Sequence, residues 1–216
     1  MLARQLSRSA RTFPSEKATN SEFGYVTCNR ATGRKKTNFN KFAKSSITMQ
    51  VILYMATTVN GYIARENDET PWSDAVWDSY YKIAKQFKAI ILGRRTYEIM
   101  KEVNEFEKIG NPFTVVVSRE DFAHNSNFSI TKSSKEALKI LEDKHFDKIL
   151  VGGGGTLNSS FMKENLIDEI ILDVEPLVFG KGIKLFSDNN FDAKLELIEI
   201  KSLSKNTIQL HYKVLK

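Results

Sequence analysis

Four consecutive glycines, Gly152 to Gly155, stand between the apolar triplet Ile149-Leu150-Val151 and a segment running from Thr156 to Leu166. No other feature restricts the fold of this chain as much. A short β-prone run stopped by glycine reads as a buried strand, and Leu157 and Phe161 beyond it share one face of a helix. Strand, glycine turn and helix in that order belong to open α/β sheets. Ligands of such sheets bind beyond the carboxyl ends of the strands, where helix N-termini offer unpaired N–H groups. Each glycine costs conformational entropy on folding, and each lets the backbone approach an anion closely. A turn dictated by packing accounts for one or two glycines; four favour a ligand.

The same alternation begins at Met49. Val51 to Ala56 reads as a buried strand. Ser73 caps a helix over Asp74 to Lys88, in which Val76, Tyr80, Ile83 and Phe87 recur at helical spacing. Ala89 to Leu92 is a strand, a short helix starts near Thr96, and Phe113 to Ser118 is the next strand, so the order is βαβαβ. Ser133 and Glu136 form a capping box ahead of Ala137, Leu138 and Leu141. After the strand Ile149 to Val151 and the glycine run comes a strand from Glu169 to Glu175, stopped by Pro176 and the Gly180/Gly182 loop. Lys194 to Lys201 and Thr207 to Val214 alternate apolar and polar residues around a Ser-Lys-Asn turn, which predicts a terminal antiparallel hairpin. The class is α/β, with a mixed and mostly parallel sheet covered by helices.

Charge divides the chain. It has 216 residues with 32 Lys and Arg against 26 Asp and Glu. Residues 1–50 alone hold ten of those bases and two acids, so the remainder is slightly acidic. A nucleic-acid partner would therefore rest on the leader, whose densest run is Arg34, Lys35 and Lys36, and no nucleic-acid partner is expected for the folded part. Residues 1–48 lack a sustained period and read as a disordered basic leader ahead of a domain at 49–216. An acid-free, Arg- and Ser-rich opening suits a transit peptide, which implies the mitochondrial matrix, whereas a true start at Met49 implies the cytoplasm. No apolar run approaches the length of a membrane span. Cys28 has no disulfide partner, and His124, His145 and His211 show no metal-ligand spacing, so no metal site is expected.

A second strand-to-helix junction, Gly93-Arg94-Arg95-Thr96, resembles the first in kind, and a pyrophosphate could be gripped between the two. No Gly-Lys-Ser/Thr follows the glycines, so the nucleotide triphosphatase pattern fails. A dinucleotide fingerprint fits in part: Gly153 and Gly155 are present, Asn158 stands in place of the third glycine, and Asp173 only imitates the acidic ribose ligand. Arg94, Arg95 and Arg119 would supply guanidinium forks for an additional phosphate, which suits an NADP-type ligand better than NAD.

Read together, these segments resemble the dihydrofolate reductase superfamily, in particular the reductase domain of riboflavin-biosynthesis deaminase/reductases. The resemblance spans Met49 to Lys216. It rests on Ala56-Thr57-Thr58-Val59-Asn60-Gly61-Tyr62-Ile63-Ala64, Pro71-Trp72, Gly93 to Glu98, Val117-Ser118-Arg119, Val151 to Leu157, Leu166 to Glu169, Pro176 to Gly182 and Leu185-Phe186. It implies a three-layer dihydrofolate-reductase-like fold, NADPH as cofactor and often a homodimer. It also implies hydride transfer to a ribosylamino-pyrimidine, of the 5-amino-6-(5-phosphoribosylamino)uracil reductase type. A pterin substrate, or a non-catalytic NADP-binding protein, are the alternatives. By the same resemblance Ala56, Gly93, Arg94, Arg95, Thr96, Ser118, Arg119, Gly153, Gly154, Gly155, Thr156 and Leu157 hold the cofactor. Thr58, Asn60, Gly61 and Trp72 face the substrate, with Asn60 and Asp78 as the catalytic candidates.

Three departures bear on the substrate. Most members carry Asp where this chain has Asn60. The riboflavin-pathway reductases usually place Glu before the paired glycines, at the position of Gly152. Dihydrofolate reductases keep a carboxylate on the helix after Pro-Trp; here the nearest is Asp78, about 200° around the helix from Val76 and so opposite the apolar stripe. A deaminase partner domain is missing, because no HxE or PCxxC zinc signature occurs.

Overall fold

A computed structural model describes residues 49–120, 128–187 and 190–216. The expectations for residues 1–48, a leader that is either a transit peptide or an over-extended start, lie outside the described residues.

In chain order the elements are β1 (Gln50–Thr58), β2 (Tyr62–Ala64), α1 (Asp74–Ala84), β3 (Ala89–Gly93), α2 (Arg94–Glu102), α3 (Glu105–Lys108), β4 (Phe113–Val117) and β5 (Phe128–Thr131). They continue with α4 (Ser134–Asp143), β6 (Lys148–Val151), α5 (Gly155–Lys163), β7 (Glu169–Glu175), β8 (Ile183–Lys184), β9 (Lys194–Ser202) and β10 (Ile208–Leu215). Eight strands form one sheet in the order β5-β4-β3-β6-β1-β7-β10-β9, and β2 with β8 makes a separate small ribbon. The first six strands are parallel. β10 and β9 add antiparallel to β7, as the terminal hairpin requires.

Side chains alternate across a strand, so β1 feeds two cores. Val51 and Leu53 join Ile91, Val151 and the α4 and α5 residues Leu141, Leu157 and Phe161 on one face. Ile52 and Tyr54 join Ile90, Leu92 and the α1 and α2 residues Ala84, Tyr97 and Met100 on the other. Helix, sheet and helix make three layers. Among the described residues no helix is long and apolar enough to cross a membrane, and no cluster of three metal-ligating side chains occurs.

Several local expectations need correction. α1 stops at Ala84, not Lys88, because Phe87 leaves the helical path to enter the core, where it is buried. Ser73 holds the N-cap position, yet its hydroxyl makes no capping bond and binds Glu175 instead. α2 begins at Arg94 directly after β3, two residues before Thr96. α5 ends at Lys163, short of Leu166. β5, the small ribbon and α3 carry too few residues to show a period, so the chain is richer than βαβαβ. The capping box of α4 is shifted by one residue on its return arm: Ser133 Oγ accepts from the Glu136 amide at 3.3 Å, and Glu136 Oε2 accepts from Lys132 N at 3.1 Å.

Candidate active site

Because β3, β6, β1 and β7 are parallel neighbours, Gly93, Val151, Thr58 and Glu175 end on one edge of the sheet. The two glycine junctions meet there. Gly93 N donates to Gly153 O at 2.8 Å, and Gly152 N to Ile91 O at 3.0 Å. α2 and α5 take Gly93 and Gly154 as N-caps, and neither helix has a side-chain cap. Two helix starts with positive dipole ends therefore lie side by side, which is an arrangement suited to a diphosphate.

The glycine run itself is explained differently from the sequence expectation. At Gly155 a Cβ would overlap the backbone carbonyl of Lys184. At Gly153, where φ is +91°, it would lie 2.9 Å from Met55 Sδ, and at Gly152 it would lie 2.8 Å from Leu92 Cδ2. Three of the four glycines thus answer to the protein's own packing. Gly154 and Gly93 do not: a Cβ on either finds its nearest atom at 3.6 Å, an ordinary contact. The case for an anion rests on those two positions and on the uncapped helices.

Around this edge stand the expected cations. Arg94 Nε binds Glu98 Oε1 at 2.8 Å, and its NH1 group pairs with Glu120. Arg95 Nε binds Asp68 Oδ2 at 2.7 Å. The Arg94 pair with Glu98 is solvent-exposed, and Arg95 is exposed although its partner Asp68 is half-buried; exposed pairs contribute at most about 1 kcal/mol, so a phosphate can compete for the Arg94 guanidinium most readily. Arg119 is exposed and makes no ion pair among the described residues. Ser118 Oγ donates to Glu120 O at 2.7 Å and accepts from Glu120 N, which ties up the hydroxyl in its own turn. Thr96 is half-buried beside Gly154, and Thr156 is exposed at the start of α5. Leu157 faces the core, so it offers only its amide. Asn158, in place of a third glycine, is buried and donates to Leu185 O at 2.9 Å.

The substrate-side residues gather at the ends of β1 and β7. Asn60 Nδ2 donates to Phe179 O at 2.7 Å while Oδ1 accepts from Phe179 N and from the Thr58 hydroxyl. Its amide clips both backbone groups of Phe179, and aspartate could not make the donor half. This gives a physical reason for the departure at position 60. Thr58 Oγ1 also accepts from Tyr62 N at 3.0 Å, and Gly61, with φ +82°, completes the turn. Trp72 stacks on Phe179 with ring centroids 6.3 Å apart, and the Arg65 guanidinium lies 4.5 Å from the same ring. Ala56 is half-buried on β1, opposite Asp173. Asp78 is not brought to this cluster. It is exposed on α1 and lines a separate open cavity of about 470 Å³ with Ser79, Lys82, Lys201 and Gln209.

Two acids that sequence reasoning left aside do reach this region. Glu175, paired in register with Thr58, is 4% exposed and accepts through Oε1 from the amide and hydroxyl of Ser73, the residue after Trp72. Its Oε2 has no hydrogen-bond partner among the described residues. Asp173 lies on the same face and is fully buried, bound by Tyr54 OH at 2.5 Å and Gln209 Nε2 at 2.7 Å, so it is not a ribose ligand. Burial pushes the Asp173 carboxyl above its ordinary pKa, against the lowering effect of those bonds. Burial and then Asp173 raise Tyr54. The signal was present in the sequence: Glu169, Asp173 and Glu175 fall on one face of a central strand, where unpartnered acids are not tolerated.

The strand order, the terminal hairpin and the paired helix starts define a dihydrofolate-reductase-like domain. Residues 49–209 match the RibD C-terminal domain family, and the chain belongs to it. It is 30% identical over 169 residues to the uncharacterized protein YwjB of Bacillus subtilis (strain 168), covering 76% of this chain and 97% of that one. Among solved structures, a putative riboflavin biosynthesis protein from Shewanella sp. PV-4 is similar with a TM-score of 0.67 at 20% identity, covering 78% of this chain and all of the other. Acinetobacter baumannii RibD is similar with a TM-score of 0.64 at 17% identity, covering 79% of this chain and 59% of that protein.

Proposed function

We propose that this chain is an NADPH-dependent reductase acting on a ribosylamino-pyrimidine of riboflavin biosynthesis. The observation that carries the reading is the meeting of two uncapped helix starts at Gly93 and Gly154, with Arg119 exposed just past the end of β4 and in no ion pair among the described residues. The residues present fit the cofactor: a diphosphate takes the backbone amides of the two helix starts, with Thr96 and Thr156 alongside. Arg119, aided by Arg94 and Arg95, takes the extra phosphate that separates NADPH from NADH. When bound, the cofactor supplies the hydride through its nicotinamide ring.

The chain's own task is to hold the second ring and keep water out. Trp72 and Phe179 offer an apolar wall, and the Asn60 clip fixes the turn that carries Thr58 and Gly61. The acid that riboflavin-pathway reductases place before the glycines would have to displace Leu92 here, whose Cδ2 lies 2.8 Å from where a Cβ on Gly152 would stand. We assign the substrate-orienting carboxylate to Glu175, whose open oxygen suits the amino and N–H groups of a pyrimidine. A pterin presents the same groups, and Glu175 rather than Asp78 would meet it.

Calorimetry with NADPH and NADH tests the cofactor, and loss of nicotinamide absorbance tests the substrate. Tighter binding of NADPH, with turnover of 5-amino-6-(5-phosphoribosylamino)uracil and none of dihydrofolate, is expected. Turnover of dihydrofolate alone moves the assignment to the pterin. Absence of NADPH binding removes the reductase reading.

A further inference from the structure

The open cavity between α1 and the β9–β10 hairpin shares no lining residue with the glycine junctions or with the Asn60 and Glu175 cluster. Its volume of about 470 Å³ lies within the range of small-molecule pockets. Exposure grades its lining. Ser79 and Gln209, 8% and 7% exposed, form the floor. Ile83 and Leu203 are half-buried apolar walls, and Asp78, Lys82 and Lys201 stand exposed at the rim. The floor carries an acceptor with nothing to accept. Sheet register sets Gln209 opposite Asp173 of β7. Gln209 Nε2 donates to Asp173 Oδ1 at 2.7 Å and to Ser79 Oγ at 3.0 Å, so both of its amide protons are spent. Asp173 also fixes which way round the amide lies, because a carboxylate draws the nitrogen and repels the oxygen. Gln209 Oε1 accepts no hydrogen bond among the described residues. Side chains this deeply buried normally have their acceptors filled.

We propose that this cavity is a second ligand site, built for a small heteroaromatic ring that bears an N–H donor and a short anionic tail, of which a nucleoside monophosphate is the type. The ring N–H donates to Gln209 Oε1, the ring faces meet Ile83 and Leu203, and the tail reaches Lys82 and Lys201. Lys82 is in no ion pair among the described residues. Lys201 Nζ binds Glu199 Oε2 at 2.7 Å, an exposed pair of the kind that contributes little and that a phosphate can displace. Asp78 and Glu199 limit the length of the tail. Two cations beside two acids accommodate one phosphate, with Asp78 accepting from sugar hydroxyls, and they disfavour a polyphosphate chain. The site stands apart from the proposed reductase chemistry, since none of these residues serves it.

Calorimetry of the full chain with uridine 5′-monophosphate tests this. Binding is expected that survives Glu175→Gln and weakens about tenfold in the double variant Lys82→Glu with Lys201→Glu. Lys85→Glu, exposed at the end of the same helix and outside the cavity, keeps the full affinity. All three lysines are exposed, so these variants keep the parent circular dichroism spectrum. 3-Methyluridine 5′-monophosphate lacks the ring N–H and should bind about tenfold more weakly, because the buried acceptor then goes unpaired. A parent chain that binds no uridine 5′-monophosphate, an affinity untouched by the double charge reversal, or equal affinities for the two nucleotides overturns the proposal. Binding that Glu175→Gln abolishes puts the nucleotide in the substrate site, which overturns the second site and leaves the reductase reading standing.

Discussion

The strand ends of β3 and β6 and those of β1 and β7 are successive neighbours along one edge of the sheet, and they are built from different materials. The first pair presents backbone: two glycine-started helices with amides on offer and charged side chains held loosely at the surface. The second pair presents side chains, with Asn60, Ser73, Asp173 and Glu175 locked by hydrogen bonds. A ligand read by shape-tolerant amides can remain the same while the ring across from it changes. The difference also says which substitutions inform: glycine to alanine on one side, polar isosteres on the other.

The largest effect is expected inside the glycine run. Gly155→Ala meets the Lys184 carbonyl and should cost about 3 kcal/mol in urea unfolding, while Gly154→Ala stays within about 1 kcal/mol and weakens NADPH binding instead. Equal losses at both positions would break the contrast. Next, Arg119→Ala should weaken NADPH about tenfold and leave NADH unchanged, a difference of about 1.4 kcal/mol. Arg94→Ala should do less, because its guanidinium must first leave Glu98 and Glu120.

On the side-chain half the changes are smaller. Asn60→Asp removes the donor to Phe179 O and should lower stability by about 1 kcal/mol above pH 5, with part of the loss recovered in acid as the new carboxyl takes a proton. The slightest effect concerns Asp173. Its folded pKa is raised, so the stabilisation it gives is complete below its ordinary pKa and is lost as pH rises through the folded value. Urea midpoints of the parent chain should therefore fall, relative to Asp173→Asn, as pH climbs from acid toward neutral. Parallel profiles would show that Asp173 titrates as in the unfolded chain.

Much of this architecture is legible in the sequence because it rests on local chemistry. The apolar strands, the Ser133/Glu136 box and the K-L-E-L hairpin pattern announce themselves within a few residues. The glycine run shows the limit of such reading. What excludes a side chain at Gly155 is the carbonyl of Lys184, far away in the chain, and no window around position 155 contains it. Asp78 and Glu175 show the same limit for acids. Helix phase correctly turns Asp78 away from the apolar stripe, but only the sheet register reveals that Glu175 ends beside Thr58. Phe128 to Thr131 is too short to display a period, and its place beside β4 is fixed by parallel pairing.

A single residue, Leu185, links the two halves of the edge through both of its backbone groups. Leu185 gives its N–H to Gly61 O at 2.8 Å and receives Asn158 Nδ2 on its own carbonyl at 2.9 Å. The turn that carries Thr58, Asn60 and Gly61 and the helix whose start is proposed to hold the dinucleotide therefore share one mechanical link. Filling either half pulls on the other, so the two ligands should enter with coupled affinities, and by thermodynamic reciprocity each must help or hinder its companion by the same factor.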